Sequence, residues 1–516
     1  MDRNTSLQRM VARRGPWDIA VIGGGATGVG IAVDAASRGY AVCLLEQSDF
    51  GKGTSSRSTK LVHGGVRYLR QGNIALVTEA LHERGLLRAN APHLVHDLTF
   101  VVPHYQWWEA PFYGIGLKAY DMLAGKYGFG KSRHLTQAEV LRHIPTLKTD
   151  GLRGGVLYHD GQFDDARLLM DLANTADIHG AVLLNYAPVI NLQHDAAGDI
   201  QALVFTDRET GQSHRVAARC TINATGAFSD QLRRMDDPSV ESIMAPSQGV
   251  HLVLDKTFLP GDAAIMVPHT SDGRVMFAIP WHNRTLLGTT DTAVEEVTLE
   301  PLPQEVEIDF ILTTAGQYLA HPPKRSDILS MFAGIRPLVK APHGTNTAAL
   351  SRDHTIQVSS SGLLTIAGGK WTTYRRMAED VVDHAIAVGG LPPRDCVTQR
   401  LEIRGSHMAA YADTAAETIK TSSADPMCDQ PLNETLSVTT NDVIRFIRHE
   451  MARNVDDVLA RRTRSLLLDA RAAIAVAPKI AAIMAMELHN DETWMRRQVA
   501  EFTGMAHAYI PTSVRS

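Results

Sequence analysis

Residues 18–28 read DIAVIGGGATG, and this stretch indicates the fold class. It opens with a short apolar run over residues 18–22, which is typical of a buried parallel strand. Gly23, Gly25 and Gly28 follow at once in the pattern G-x-G-x-x-G. In that pattern the first glycine permits a tight turn, the second lets backbone N–H groups approach a pyrophosphate, and the third lets a helix pack on the strand. The stretch therefore predicts a strand, turn and helix that bind a dinucleotide.

The residues that follow complete this unit. Apolar residues recur at helical spacing over residues 31–36, and residues 40–45 form a second apolar strand. The pyrophosphate is expected at the helix N-terminus, beside Ala26 and Thr27, where free N–H groups and the helix dipole favour an anion. Glu46 closes the second strand and is placed to accept hydrogen bonds from a ribose diol, while its charge disfavours a 2′-phosphate. A purely structural strand, turn and helix is the alternative.

The next segment indicates which dinucleotide is bound. Residues 54–60, TSSRSTK, are rich in hydroxyl groups and lead into residues 61–69, LVHGGVRYL. Flavoproteins lay such a segment along the pyrophosphate and ribityl chain, and two adjacent glycines let the backbone approach a flat ring closely. Taken alone, the segment fits a solvated Ser/Thr loop equally well. If it binds FAD, the expected contacts are Thr54, Ser55, Ser56, Thr59, His63, Gly64 and Gly65.

The composition excludes several classes of protein. The chain has 516 residues, of which 44% are hydrophobic and 21% charged, as in a folded protein of about two to four domains. Its formal net charge of −5 argues against a nucleic-acid-binding protein. The cysteines show no disulfide or metal-ligand spacing, which fits a reducing compartment. The sequence also lacks a secretory h-region and an uncharged apolar run of about 18 residues, so neither export nor a membrane-spanning helix is predicted.

The run from Asp18 to Leu69 resembles the FAD-dependent glycerol-3-phosphate dehydrogenases, respiratory enzymes that pass electrons from glycerol 3-phosphate to quinone. Segments that keep the family's order follow along the chain: YHDGQFDDARL (158–168), TINATG (221–226), QGVHLVL (248–254), GIRPL (334–338) and GGKWTTYR (368–375). The resemblance covers roughly residues 18–387, with Gln248 as a departure because some members carry Lys there. It implies further FAD contacts at Ala224, Thr225, Gly226, Gly368, Gly369, Lys370 and Thr372.

The predicted fold is α/β, with a Rossmann-like FAD-binding domain interleaved with an α+β substrate domain that contains an antiparallel sheet. An FAD-dependent oxidoreductase unit is expected over residues 16–390, and an all-helical C-terminal domain over residues 395–516, after a turn-rich break at residues 388–394. The predicted FAD-binding parts are about residues 16–90, 155–232 and 330–390, and the substrate-domain parts are about residues 91–154 and 233–329. The basic run at residues 461–464 is predicted to be a solvated helix face.

Oxidation of a secondary alcohol requires a base within hydrogen-bond reach of the hydroxyl. His251 and His63 are the candidates. The family resemblance favours His251 as the base. A satisfied core histidine is the alternative, because a lone histidine in an apolar strand is often structural. His63 is predicted to touch the flavin.

A phosphate group requires cationic partners, and the arginine guanidinium provides a bidentate fork. Arg67 and Arg336 are predicted to hold the phosphate, and Lys370 is predicted to lie near the flavin carbonyls or the substrate. Surface ion pairs are the alternative for all three cations. Tyr68 and Thr372 are further polar candidates for substrate binding.

Residues 105–117, YQWWEAPFYGIGL, are rich in aromatic side chains and are followed by Lys118, Lys126 and Lys131. Aromatic side chains flanked by cations suit a membrane interface, whereas core or subunit contacts are the alternative. With the family resemblance, this segment predicts peripheral contact with the inner face of the cytoplasmic membrane, where quinone would accept the electrons. The sequence leaves the oligomeric state open, a homodimer included.

Three rival functions stay open. A glycerol-3-phosphate oxidase would hand electrons to oxygen and release peroxide. An amine or 2-hydroxy-acid oxidoreductase would share the FAD-binding motifs. A flavin-binding sensor without turnover would keep the cofactor alone, and the combination of His251, Arg336 and Lys370 argues against it.

Overall fold

The computed structural model describes residues 1–65, 73–268, 270–271, 273–340, 354–405 and 430–512. Two sheets organise the described residues. With strands numbered along the chain, the first sheet contains eight: β1 (Trp17–Ile22), β2 (Val42–Leu45), β7 (Val182–Leu184), β8 (Val189–His194), β9 (Ile200–Thr206), β10 (Ser213–Asn223), β17 (His354–Val358) and β18 (Leu363–Gly368).

The first sheet has the predicted dinucleotide-binding architecture. Its order is β17-β18-β10-β1-β2-β7, and β18, β10, β1, β2 and β7 run parallel. The helices Asp165–Ile178 and Tyr374–Val388 both pack against the helix Ala26–Ser37, and the three bury one face of the sheet. A meander of β8, β9 and β10, together with the helices Arg3–Val11 and Ser229–Asp236, contributes to the apolar cluster on the other face. Every residue of β2 is buried, as expected for a parallel strand covered on both sides.

The second sheet has ten strands and is mostly antiparallel. They are β3 (Leu61–Val62), β4 (Val95–His104), β5 (Arg133–Thr136), β6 (Gly154–Phe163), β11 (Ser247–Asp255), β12 (Ala264–Val267), β13 (Met276–Trp281), β14 (Arg284–Gly288), β15 (Thr292–Ala293) and β16 (Ile328–Arg336). Their order is β15-β11-β14-β13-β12-β4-β6-β3, with β16 beside β11 and β5 beside β6. The predicted α/β fold with a separate antiparallel sheet is confirmed.

The remaining helices cover the second sheet and form the C-terminal part. They are Ile74–Asn90, Glu109–Ala124, Gln137–His143, Glu305–Tyr318, Thr440–Glu450, Ser465–Leu468, Ala470–Leu488 and Glu492–Ala506, with a π-helical turn at Asp457–Arg462. The helical character predicted for the C-terminal part is confirmed. Its apolar side chains join those of the second sheet in one buried cluster. Val476 of the C-terminal part and Phe332 of the second sheet are each 1% exposed in this cluster. Among the described residues, none of the helices has the length and apolar character needed to cross a bilayer.

Three strands fall on the other side of the predicted internal boundaries. The shortest, β3, pairs with β6 in the second sheet, although residues 61–62 were predicted to belong to an FAD-binding part. β6 pairs along its whole length with β4, and β16 pairs with β11, so both strands belong to the second sheet. The sequence placed residues 155–163 and 330–336 with the FAD-binding parts, because strand pairing between distant segments leaves no local signal. The division into domains itself stays a prediction.

The prediction of a solvated basic face at residues 461–464 is wrong. Arg461 and Arg462 are 3% and 2% exposed, and both pair with the buried carboxylate of Asp49. Arg464 pairs with Asp164 at 2.8 Å. The acids that neutralise this run lie in distant segments as well as in the preceding residues, so helical periodicity alone could not reveal the burial.

Candidate active site

The turn after β1 has the geometry that its glycines predict. Gly23 has φ of 112°, a conformation that side chains with a Cβ rarely adopt. A Cβ at Gly28 would lie 1.9 Å from the carbonyl oxygen of Gly23, so the first turn of the helix Ala26–Ser37 packs directly on the turn. Glu46 Oε2 accepts a hydrogen bond from the Gly24 N–H at 2.6 Å, and burial raises the pKa of this carboxyl.

The hydroxyl-rich segment is folded against this turn instead of being solvated. The Ser55 hydroxyl accepts a hydrogen bond from the Ala26 N–H at 2.9 Å, at the helix N-terminus. Thr54 donates to the carbonyl of Ile335 on β16 at 2.5 Å, and the Trp371 indole donates to the Ser55 carbonyl at 2.9 Å. The segment therefore ties both sheets together at the place where the sequence predicts a pyrophosphate.

A cavity of about 400 Å³ runs between the two sheets. The predicted site residues that line it are Gly23, Gly25, Ala26, Thr27, Glu46, Thr54, Ser55, Thr59, His63, Ala224, Thr225, Gly226, His251, Arg336, Gly368, Gly369, Lys370 and Thr372. Residues from seven separate segments of the chain thus meet in one cavity, as the order of motifs predicted. Arg67 and Tyr68 lie outside the described residues.

Four predicted cofactor contacts lie behind the lining. Gly28 packs on Gly23, and the Ser56 hydroxyl donates to the Gly51 carbonyl at 2.6 Å. Gly64 and Gly65 are also absent from the lining. The Gly64 N–H donates to the hydroxyl of Tyr120 at 2.8 Å, and Gly65 has φ of 77°. These residues shape the turns that carry their neighbours. A motif in the sequence does not distinguish residues that shape a turn from residues that contact the cofactor.

His251 lies on β11 with its ring stacked on Phe332 of β16, at 4.9 Å between ring centres. It is 2% exposed, and its Nε2 lies 2.9 Å from the Thr59 hydroxyl. Its Nδ1 has no hydrogen-bond partner among the described residues. Burial, with the positive charges of Lys60 and Arg336, holds the pKa of His251 well below its ordinary value. The ring is therefore neutral near pH 7 and able to accept a proton.

Lys60 is a charged neighbour that the sequence reading did not assign to the site. Its ammonium is buried and donates to Asp165 Oδ1 and to the Ser56 carbonyl at 2.8 and 2.7 Å. It lies 5.4 Å from the centre of the Phe332 ring, on which His251 stacks. Burial lowers the pKa of Lys60, although Asp165 opposes that shift. A lysine at the end of a Ser/Thr loop gives no local sign that it is enclosed.

Arg336 ends β16 and its guanidinium is fixed above β11. It donates to the Gln248 carbonyl at 3.2 Å, to the Thr289 hydroxyl at 3.1 Å and to the Thr290 carbonyl at 2.9 Å. Because residues two apart on a strand face the same side, Gly249 and His251 both face the cavity, and the guanidinium lies directly over Gly249. A base and a rigid cation therefore share one face of the second sheet.

Asp291 joins Arg336 to a second arginine that the sequence reading missed. Its carboxylate lies 3.4 Å from Arg336 Nη1 and 2.8 Å from Arg274 Nη1. Two guanidiniums around one carboxylate leave a net positive charge beside the cavity. Gln248, by contrast, directs its amide away from the lining and donates to Glu307 Oε2 at 2.7 Å. Its side chain therefore does not contribute to the cavity wall.

We expect the substitution Gly249→Ala to disturb this cation. A Cβ at Gly249 would lie 2.3 Å from Arg336 Nη2, so the guanidinium must shift. A misplacement of this kind should raise the KM for a phosphorylated substrate about tenfold or more, because binding groups must be held in place. Steady-state kinetics would check this, with Gly504→Ala as the control, since a Cβ at Gly504 would meet nothing within 4 Å. A normal KM in Gly249→Ala would contradict the role given to the guanidinium.

The segment 368–375 forms the far wall of the cavity. Gly368 and Gly369 have φ of 80° and 76°, and a Cβ at Gly369 would lie 2.3 Å from the sulfur of Met377. Thr372 accepts a hydrogen bond from the His63 N–H at 3.3 Å, which joins this wall to the segment that begins at β3. Lys370 follows the two glycines and lines the cavity immediately before the helical turns that lead into Tyr374–Val388.

These features fit FAD. The glycine turn leaves no space for a Cβ at Gly23 or Gly28, so the helix N-terminus approaches the cavity closely. Glu46 lines one stretch of the cavity, where an adenosine ribose would lie, and His63 and Lys370 line another, where a flavin ring would lie. The geometry defines a dinucleotide-dependent oxidoreductase.

Comparison with known proteins identifies the cofactor class. Residues 18–375 match the family described as FAD dependent oxidoreductase, and residues 364–495 match the C-terminal domain of alpha-glycerophosphate oxidase. The protein is thus an FAD-dependent enzyme of this oxidoreductase class, in agreement with the sequence prediction.

Individual relatives show which family within this class of oxidoreductases the chain belongs to. The chain is 39% identical to a mitochondrial glycerol-3-phosphate dehydrogenase of Rattus norvegicus, over 97% of this chain and 74% of the relative. It is 40% identical to one of Arabidopsis thaliana, over 94% of this chain and 85% of the relative. The solved glycerol-3-phosphate dehydrogenase of Bacillus halodurans, complexed with FAD, is 28% identical and superposes with a TM-score of 0.77, covering 98% of this chain and 97% of that one. The chain belongs to the FAD-dependent glycerol-3-phosphate dehydrogenase family.

Proposed function

We propose that the protein oxidises sn-glycerol 3-phosphate to dihydroxyacetone phosphate and passes the electrons to a quinone. The observation that carries this proposal is the juxtaposition of His251 and Arg336 on one face of the second sheet, against the cofactor cavity. A neutral base beside a fixed guanidinium suits a substrate that has an alcohol at one position and a phosphate at another.

The phosphate is assigned to Arg336, whose fork is held by Thr289 and the Thr290 carbonyl before substrate arrives. A guanidinium already held in place loses little side-chain entropy when it binds the anion. In this proposal Arg67 also holds the phosphate, and Tyr68 is a further polar contact of the substrate. Lys370 and Thr372, which line the opposite wall, are assigned to the substrate and flavin carbonyls.

In this proposal His251 accepts the proton of the substrate hydroxyl. Its ring is neutral near pH 7, and stacking on Phe332 together with the Thr59 hydrogen bond fixes its orientation. When bound, FAD supplies the acceptor for the hydride that leaves the carbinol carbon. The protein's contribution is to hold the hydroxyl against the base and to keep the phosphate on the guanidinium throughout.

The protein is proposed to act at a membrane surface, because quinones reside in the lipid phase. The helix Glu109–Ala124 and the residues before it expose apolar side chains on one side: Trp107 (75%), Trp108 (42%), Phe112 (47%), Ile115 (72%) and Met122 (82%). The opposite side of the helix is buried through Leu117 and Tyr120. Exposed Lys118, Lys126 and Lys131 flank the apolar side and favour anionic lipid headgroups. We assign this contact to the inner face of the cytoplasmic membrane, as the resemblance implies.

We expect the double substitution Trp107→Ser and Ile115→Ser to abolish sedimentation with anionic lipid vesicles. Each side chain would bury apolar area worth about 1.5–3 kcal/mol in lipid, so losing both should weaken binding by more than about a hundredfold. The control is Val306→Ser, which removes a side chain that is 70% exposed on a different helix. Equal sedimentation of the double variant and the control would exclude this face as the membrane contact.

The reaction is tested by a steady-state assay that supplies glycerol 3-phosphate with a soluble quinone analogue, in air and under argon. The proposal predicts dihydroxyacetone phosphate as product and the same rate in both atmospheres, with little peroxide. Turnover that requires oxygen and releases peroxide stoichiometrically would assign the chain to the oxidase alternative. No turnover of glycerol 3-phosphate with either acceptor would overturn the substrate assignment.

A further inference from the structure

The C-terminal helical part makes direct polar contacts with residues 49–57, a segment that runs along the cofactor cavity. Within that segment, Lys52 and Arg57 line the cavity, and Asp49 lies behind it with no exposed surface. Residues beyond 455 hold all three side chains. They contact Asp49 and Lys52 directly, and they contact Arg57 through Glu300. The substrate chemistry described above makes no use of these contacts.

The first contact is an ion cluster around Asp49. Arg462 donates to Asp49 Oδ1 at 2.9 Å, and Arg461 also donates to this carboxylate. Both arginines belong to the π-helical turn Asp457–Arg462. Burial opposes the charge of Asp49, but the two guanidiniums keep its pKa below the ordinary value. Removing a partner from a buried cluster of this kind leaves an uncompensated charge, so the contact opens reluctantly.

The second contact holds Lys52. Its ammonium donates to Asp456 Oδ2 at 2.7 Å, and the same carboxylate oxygen accepts from Arg461 at 3.0 Å. Asp456 thus joins the cavity wall to the ion cluster around Asp49.

The third contact holds Arg57. Its guanidinium donates to Glu300 Oε2 at 2.7 Å, and the hydroxyl of Tyr509 donates to the same oxygen at 2.9 Å. Tyr509 lies near the end of the described chain and is 5% exposed. Because Tyr509 orients Glu300, it fixes Arg57 without touching the cavity.

We propose that the C-terminal helical part is a clamp that retains bound FAD, with Asp456, Arg461, Arg462 and Tyr509 as positioning residues for the segment 49–57. The segment forms one wall of the cofactor cavity. In this proposal FAD leaves when that wall opens, and the wall opens when these contacts separate. Local openings have their own free energies, and polar contacts to a second structural part raise the cost of this one. The clamp concerns the cofactor alone, so it stands or falls separately from the assignment of glycerol 3-phosphate.

The test measures the rate at which FAD leaves the purified holoenzyme, followed by flavin fluorescence in the presence of an excess of an apo-flavoprotein trap. Asp456→Asn and Tyr509→Phe should each speed release about tenfold, the loss expected for a hydrogen bond that involves a charged group. Tyr509→Phe removes one hydroxyl and leaves the ring in place, so it tests the clamp even if Asp456→Asn folds poorly.

Two controls separate a clamp from general destabilisation. Arg496→Ala breaks an exposed ion pair with Glu492 on a C-terminal helix and should leave the release rate unchanged. Val476→Ala opens a cavity in the C-terminal core, where Val476 is 1% exposed, and should lower the melting temperature without a matching rise in release.

A double-mutant cycle tests whether the effect passes through Lys52. In a Lys52→Met background, Asp456→Asn should speed release much less than in the unaltered protein, because its cavity-facing partner is already gone. An undiminished effect in that background would overturn the part of the clamp assigned to Lys52. Release rates unchanged by both Asp456→Asn and Tyr509→Phe would overturn the clamp as a whole, and so would a release rate that tracks melting temperature across all variants.

Discussion

The substitution His251→Asn is expected to lower kcat by about 10²–10⁴-fold, the contribution of a positioned general base. Asparagine is polar and smaller than histidine, so it fits the space beneath Thr59, but it cannot take the substrate proton. FAD should remain bound, because the glycine turn and the 368–375 wall are untouched. Stopped-flow measurement of flavin reduction isolates the step that the base serves.

The pH dependence of the unaltered protein provides a second view of His251. Its pKa is lowered by burial and by the charges of Lys60 and Arg336, so the ring stays unprotonated through neutral pH. The acid limb of the reduction rate should therefore lie below pH ~6.5, the ordinary value for histidine. The free energy of unfolding also depends on the protonation of His251. An unfolded chain takes up the proton that the folded chain refuses, so this residue lowers the free energy of unfolding as pH falls below ~6.5.

His194→Asn is the matched control, since His194 is a partly exposed histidine of β8 that pairs with Asp236 outside the cavity lining. It should leave the reduction rate unchanged. A reduction rate in His251→Asn within about threefold of the unaltered protein would exclude His251 as the base, given the size of the effect expected of a general base. His251 would then be the satisfied core histidine that its apolar strand also allows.

Replacing Arg336 with Met is expected to raise the KM for glycerol 3-phosphate by about 10²–10³-fold, the cost of removing one partner of a charged, hydrogen-bonded pair. Methionine retains the apolar stem of the arginine side chain but lacks the guanidinium group. Its neighbours Thr289 and Thr290 lose a donor, but Arg336 itself lines the cavity, so water can take the place of the guanidinium.

Arg336→Lys separates charge from geometry. Lysine keeps the positive charge but cannot bind two phosphate oxygens through one planar group, so its KM should lie between those of the unaltered protein and Arg336→Met. Glycerol, which lacks the phosphate, should react equally slowly with all three proteins. A KM in Arg336→Met that matches the unaltered protein would remove the phosphate role from this residue.

Much of this site could be predicted because its signals are local. The turn at Gly23, the acid at Glu46 and the glycines at Gly368 and Gly369 each express a backbone requirement that the surrounding residues reveal. His251 could be singled out only with the family resemblance, because a lone histidine in an apolar strand is often structural. Separate motifs could be assigned to one site because they keep the order that the resembling family shows along the chain.

The residues that sequence reading missed act through long-range contacts. Arg274 is linked to the site through Asp291, and Lys60 pairs inside the protein with Asp165. Arg461 and Arg462 carry the charge pattern of a solvated helix, and Asp49, which neutralises them inside the protein, lies in the first fifty residues. Tertiary pairing of charges depends on the finished fold, so periodicity and composition do not predict it.

An anaerobic titration of the purified holoenzyme tests whether glycerol 3-phosphate is the substrate. The absorbance of the oxidised flavin would be followed while glycerol 3-phosphate, glycerol or lactate is added. The proposal predicts rapid bleaching by glycerol 3-phosphate and slow or no bleaching by the two compounds that lack a phosphate. With FAD demonstrably bound, absence of bleaching by glycerol 3-phosphate, or equally fast bleaching by glycerol, would contradict the account.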